Sequence, residues 1–251
     1  MKDALTMANI NLFAVLQNLV ELCKFDESSK ELIQDQQITI SFTIKNGPYA
    51  RLIFDKGKCS FTCKHGKSNI KLYFKSPEHF NQMIEGKANP IPLKGFTHLK
   101  FLTNDFITLT ERLSYYLRPN DELLKNPTYF KINTYLSAYA AFYALGEIGN
   151  TDPIGKMNAG RIPNGNIMIA VDQGPALYIE AGDGKLNVRK GIPKQYRASM
   201  TFKNLETANS ILNGKIDSYS CIATGDLQMR GFIPMLDNMN KLLAQVPFYL
   251  S

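Results

Sequence analysis

The chain states one sequence twice, about 127 residues apart, and this restricts the folds open to it more than any other feature. The run Phe74-Lys75-Ser76-Pro77-Glu78-His79-Phe80-Asn81-Gln82-Met83-Ile84-Glu85-Gly86-Lys87 is answered by Phe202-Lys203-Asn204-Leu205-Glu206-Thr207-Ala208-Asn209-Ser210-Ile211-Leu212-Asn213-Gly214-Lys215. Phe, Lys, Glu, Asn, Gly and Lys coincide without a gap. Upstream, Gly47-Pro48 answers Gly174-Pro175, and Gly57-Lys58 answers Gly184-Lys185. A duplicated supersecondary unit means two similar domains, expected here over 1–120 and 121–251. A residue that the shared design needs should occur in both copies.

Within each copy the hydrophobic period changes in the same order. Residues 8–24 place Leu12, Val15, Leu16, Leu19, Val20 and Cys23 at helical spacing. Ile38, Ile40, Phe42 and Ile44 then alternate with polar residues, as in a strand with one wet face. Leu52–Phe54, Cys59–Cys63 and Ile70–Phe74 continue the pattern across turns at Asn46-Gly47-Pro48, Lys56-Gly57 and His65-Gly66. Ser76-Pro77 reads as a helix start and Gly86 as its end. A fifth strand is expected around Leu99 and Phe101, then a helix with Phe106, Leu109, Leu113 and Leu117 on its buried face. Arg118 to Pro127 reads as a linker.

The second copy repeats the order. A helix is expected at about 129–147, and strands around 167–171, 177–181, 185–189, 197–203 and 225–231. Helices are expected at 205–213 and from Pro234. The class is α+β: two similar domains, each a five-stranded, mainly antiparallel sheet covered on one face by helices.

Composition excludes several functions. The net charge of +7 divides into +4 over residues 1–125 and +3 over the rest, so neither half is a basic tail. Four cysteines are too few for a disulfide framework in 251 residues. The N-terminus is a poor signal peptide, and the run Ile132 to Gly146 is too short and polar to span a bilayer. A cytoplasmic location is the expectation.

Cys59, Cys63 and His65 resemble a metal cluster only as a list. On a strand the two cysteines stand ~13 Å apart, too far for one zinc ion, and read better as small core-facing hydrophobes. The three histidines all fall in the first copy, so no shared mechanism uses them. Glu78 and Glu206 recur in a helix's first turn, where the dipole favours a carboxylate; Glu21 and Glu147 also recur. Gly182-Asp183-Gly184-Lys185 lacks phosphate-loop spacing and reads as a hairpin. No catalytic constellation or cofactor fingerprint is present.

Lys56, Lys58, Lys64, Lys67, Lys71 and Lys75 form a basic group, echoed by Lys185, Arg189, Lys190, Lys194, Arg197 and Lys203. Base stacking would want several outward aromatics and only Tyr73 offers itself on that face, so nucleic acid is not expected. A solvated face is the plain reading; transient contact with an anionic membrane surface is the sharper one.

From Phe202 the second copy continues through Ile216-Asp217-Ser218-Tyr219-Ser220-Cys221-Ile222-Ala223-Thr224-Gly225-Asp226-Leu227-Gln228-Met229-Arg230-Gly231. A helix ending in Gly-Lys, a short loop, then Gly-x-Leu-x-apolar-x-Gly before a last helix resembles the sterol carrier protein (nonspecific lipid-transfer) family. The resemblance covers roughly 160–251 and is weaker over 38–118. It implies an apolar tunnel for a fatty acyl chain, acyl-CoA or sterol-like ligand, without catalytic residues or cofactor.

On that reading the lining is Met200, Phe202, Ile211, Leu212, Leu227, Met229, Met235, Leu236 and Met239, where flexible thioethers suit irregular ligands. The alternative is a non-catalytic interaction or scaffold module whose pockets its own side chains fill. At the helix offset Gly225 and Gly231 fall on Thr97 and Thr103. The first copy is therefore expected to be degenerate, with Thr97 and Thr103 in regular extended backbone.

Overall fold

The computed structural model describes residues 2–250. The chain forms two compact units that part between Pro119 and Asn120. Each is built on a five-stranded sheet. In the first, β1 (Gln37–Ile44), β2 (Tyr49–Asp55), β3 (Lys58–Thr62), β4 (Ile70–Phe74) and β5 (Ile91–Lys94) lie in the order β3-β2-β1-β4-β5. In the second, β6 (Gly165–Val171), β7 (Ala176–Gly182), β8 (Lys185–Lys190), β9 (Ala198–Phe202) and β10 (Leu227–Gly231) lie in the order β10-β9-β6-β7-β8.

The same connectivity serves both units. β1–β2–β3 and β6–β7–β8 are antiparallel meanders, while β4 and β9 return beside β1 and β6 in parallel register. The tight turns follow from local chemistry. Lys56-Gly57 (φ 45 and 79) and Asp183-Gly184 (φ 50 and 72) hold two successive residues at positive φ, which matches the twist of the flanking strands. Gly182-Asp183-Gly184-Lys185 is thus a hairpin.

Caps explain the recurring run. Ser76 Oγ accepts from His79 N at 3.2 Å and Asn204 Oδ1 accepts from Thr207 N at 2.8 Å, so each side chain satisfies an orphan donor of its helix. The helices Pro77–Ile84 and Leu205–Leu212 then give way to Gly86 and Gly214 at positive φ. The shared Asn docks each helix on its unit's first helix. Asn81 accepts from Asn11 Nδ2 at 3.0 Å and donates to Ala4 O at 2.9 Å. Asn209 donates to Asn133 Oδ1 at 2.7 Å and Thr134 Oγ1 at 2.8 Å.

A second device also recurs. Asp26 caps the helix Glu27–Glu31 and accepts from Tyr116 Oη at 2.9 Å, on the unit's last helix Phe106–Leu117. Asp152 caps the helix Pro153–Ala159 and accepts from Tyr249 Oη at 2.7 Å, on the last helix Val246–Leu250. In each unit an aspartate at the end of the first long helix clasps the short helix that it caps to the last helix.

The N-terminal run Ala4–Phe25 is helical throughout, and by length and composition it is long and apolar enough to cross a membrane; 67% of that apolar window is buried inside the structure. The long helix Pro127–Thr151 opens the second unit.

Three expectations need correction. The first unit's fifth strand is Ile91–Lys94, whereas Leu99 and Phe101 lie in helical turns leading into Phe106–Leu117. Pro90 and Pro92 argue against a central strand, but β5 is an edge, where a missing N–H is tolerated. Thr97 and Thr103 are accordingly helical rather than extended. Cys63 is exposed just beyond the end of β3, so only Cys59, half-buried, fits the core-facing reading.

Candidate ligand-binding seam

β9 and β10 pair so that Met200 faces Met229 and Phe202 faces Leu227. The chain leaves β10 through Phe232, whose N–H donates to Arg197 O at 2.9 Å, and enters the helix Ile233–Leu243. One turn apart on that helix, Met235 and Met239 are fully buried, with Leu236 beside them. Asn240 Nδ2 approaches Met229 Sδ at 3.8 Å and ties the helix to the edge strand. Met200, Phe202, Leu227, Met235, Leu236 and Met239 are all at most 2% exposed, while Ile211, Leu212 and Met229 are half-buried.

The rim is apolar as well. Between Leu205–Leu212 and β10 the chain forms a short helix, Ser218–Thr224, capped by Asp217 accepting from Ser220 N at 2.9 Å. Tyr219 (77% exposed) and Ile222 project from it, and Ile216 precedes it. Phe232 and Ile233 (63% exposed) stand at the far end of β10, with the Arg197 guanidinium 4.6 Å from the Phe232 ring centroid. An ion pair of Lys203 and Asp226 at 2.8 Å fixes the other end of the β9–β10 pair.

The seam itself is hydrocarbon and thioether. Among the described residues no group of three His, Cys, Asp or Glu could hold a metal ion. His65 stacks on Tyr49 with ring centroids 4.0 Å apart, and His79 bonds to Lys75 N and Asn89 O, so both have structural partners. In the second unit's first helix, burial pushes the Glu147 carboxyl up to about 7. The basic strand residues of the second unit are partly engaged: Arg189 pairs with Glu180 at 2.8 Å and Lys190 lies 4.7 Å from the Tyr139 ring centroid.

Pairing of the fifth strands reveals a match that the helix offset hides. β5 ends in Lys94-Gly95-Phe96 and β10 in Arg230-Gly231-Phe232, with Gly95 at φ 113 and Gly231 at φ 95. A Cβ at Gly95 would lie 2.9 Å from Ile70 Cγ1, and one at Gly231 would run into Arg197 O. Both corners need glycine. The second unit carries extra chain before its fifth strand, including the helix Ser218–Thr224, and this displaces Gly231 from the Thr103 alignment. The signal that the two corners share in the sequence is the dipeptide Gly-Phe, Gly95-Phe96 in the first copy and Gly231-Phe232 in the second.

No family model matches the chain, and no curated protein matches it. Several solved structures are similar to it. They include the sterol carrier protein domain 2 of Helicoverpa armigera, at 17% identity and a TM-score of 0.36 over 44% of this chain and 87% of that one. The UbiJ-SCP2 ubiquinone synthesis protein gives 16% identity and 0.35 over 44% of this chain and 95% of that one. Palmitated SCP2L2 from Aedes aegypti gives 15% and 0.32 over 41% and 90%.

Proposed function

We propose that the second unit binds a single long apolar chain (fatty acyl, acyl-CoA or sterol-like) without chemical conversion, along the seam between β9, β10 and the helix Ile233–Leu243. The observation that carries this reading is the convergence of four of the chain's nine methionines, Met200, Met229, Met235 and Met239, beneath an exposed apolar rim. Unbranched thioethers change rotamer at little cost, so a seam lined with them can part along a guest and close again. A sixteen-carbon chain gains roughly 12 kcal/mol gross at ~0.8 kcal/mol per methylene. Micromolar affinity needs only about 8 kcal/mol, which leaves roughly 4 for ordering the guest and displacing side chains.

A second reading has its own support. Met200, Met235 and Met239 are at most 2% exposed, so they already pack as a closed core. On that reading the unit is a non-catalytic scaffold with its pocket filled.

Titration of the full chain with a fluorescent fatty acid separates the two. Met229→Trp should weaken uptake at least tenfold, because the indole occupies the margin of the seam. Tyr115→Trp, at an exposed position of the first unit, should leave it unchanged. No uptake by the unsubstituted chain would favour the filled scaffold.

A further inference from the structure

We infer that the first unit docks on an anionic lipid bilayer through the corner where β5 turns into the following helix. Leu93 (60% exposed), Phe96 (66%) and Leu99 (47%) project there, around a wide-mouthed concavity of about 350 Å³ lined by Asn69 and residues 93–98. Apolar side chains this exposed, side by side on one corner, present contiguous hydrocarbon to whatever covers them.

Charge identifies the occupant. Residues 56–77 contain six lysines and no acid, and residues 86–104 contain three more and again no acid. β4 and β5 bring these two stretches together, with Lys71 directly opposite Lys94. Lys67, Lys71, Lys94 and Lys100 are exposed around the corner. Lys87, more distant, is offset by Glu85 at 2.7 Å. Aromatic and aliphatic tips within a ring of lysines match the headgroup boundary of a negatively charged leaflet: carbon enters the acyl edge while the ammonium groups stay at phosphate level. An acidic protein partner would satisfy the cations but leave three exposed apolar tips with no defined pocket.

The fold makes the corner rigid. Gly95 turns the chain sharply against Ile70 of β4, and Lys94 Nζ donates to Ser68 O at 3.0 Å, so the end of β5 is tied to β4 and to the chain just before it. This inference places membrane contact at the strand corner rather than on the strand lysines at large, and it does not rest on ligand binding by the second unit.

The test is co-sedimentation of the full chain with phosphatidylcholine vesicles, with and without phosphatidylserine. Binding should require the anionic lipid and fall steeply with added salt. Phe96→Ser should lower the partition coefficient about tenfold through lost apolar burial. Lys100→Gln should lower it about fivefold. Lys45→Gln, at the opposite end of β4 where Lys45 N donates to Phe74 O, should change it less than about twofold. Circular dichroism should show all three variants folded, and fatty-acid uptake measured without vesicles should not change. Equal binding to neutral vesicles, no binding to either, or an unaffected Phe96→Ser variant would overturn the inference.

Discussion

Replacing Asp26 by Asn keeps the side chain's shape and removes the charge at the centre of the first unit's clasp. The carboxylate is 7% exposed and receives five donors. Arg112 Nε and Nη2 each approach at 2.6 Å, Tyr116 Oη at 2.9 Å, and Ser29 supplies its N–H and hydroxyl. Burial alone would raise the Asp26 pKa, but the Arg112, Ser29 and Tyr116 hydrogen bonds outweigh it and hold the group at about 2 instead of 3.8. Burial, with the Asp26 carboxylate, pushes the Tyr116 hydroxyl up to about 12.

At 1.36 kcal/mol per pKa unit this difference corresponds to at most about 2.5 kcal/mol of pH-dependent stability. Arg112 is 31% exposed, so solvent screening reduces the figure to roughly 1–2 kcal/mol. Because the folded pKa is the lower one, the contribution is complete above about pH 4 and disappears as pH falls towards 2. Urea unfolding followed by far-ultraviolet circular dichroism should show Asp26→Asn less stable at pH 7 by that amount, with the gap closing near pH 2. A gap of constant size across this range, or none at pH 7, would refute the electrostatic account of the clasp.

Glu147 has the opposite sign: its folded pKa of about 7 lies above the ordinary 4.5. Ionisation therefore destabilises the second unit increasingly as pH rises from about 4.5 to 7, and Glu147→Gln should recover up to about 3 kcal/mol at pH 8 and little at pH 4 in urea titrations. Gly231→Ala should cost about 3 kcal/mol or more by urea unfolding, because its Cβ meets backbone. Gly225→Ala, with open space around the Cβ at φ 82, should cost only about 1 kcal/mol. Tyr249→Phe should cost about 1 kcal/mol, matching Tyr116→Phe if the two clasps are equivalent; a silent Tyr249→Phe would show that they are not.

What the sequence disclosed is what local chemistry dictates. Lys56-Gly57 and Asp183-Gly184 can form only tight turns between alternating stretches, and Ser76-Pro77 can scarcely do anything but start a helix. The fifth strand of the first unit was hidden because Pro90 and Pro92 oppose a strand locally, whereas Leu99 and Phe101 imitate alternation; the edge position that tolerates proline is a tertiary fact. The Asp26–Tyr116 and Asp152–Tyr249 clasps join residues 90 and 97 apart, and no local pattern announces them. The seam is an intermediate case. Periodicity marks Met235 and Met239 as inward, but only the β9–β10 register places Met200 opposite Met229. The helix Ser218–Thr224 carries little local signature, because serine and threonine are weak helix formers and its length is only seven residues.

The central claim is that the methionine seam takes up a lipid chain. Purified full-length protein, denatured, extracted with organic solvent and analysed by mass spectrometry before and after incubation with a long-chain fatty acid, tests it directly. The account predicts close to one acyl chain or sterol-like molecule per polypeptide, diminished in Met229→Trp. An extract without any such molecule, from protein that also takes up none of the added fatty acid, would contradict it.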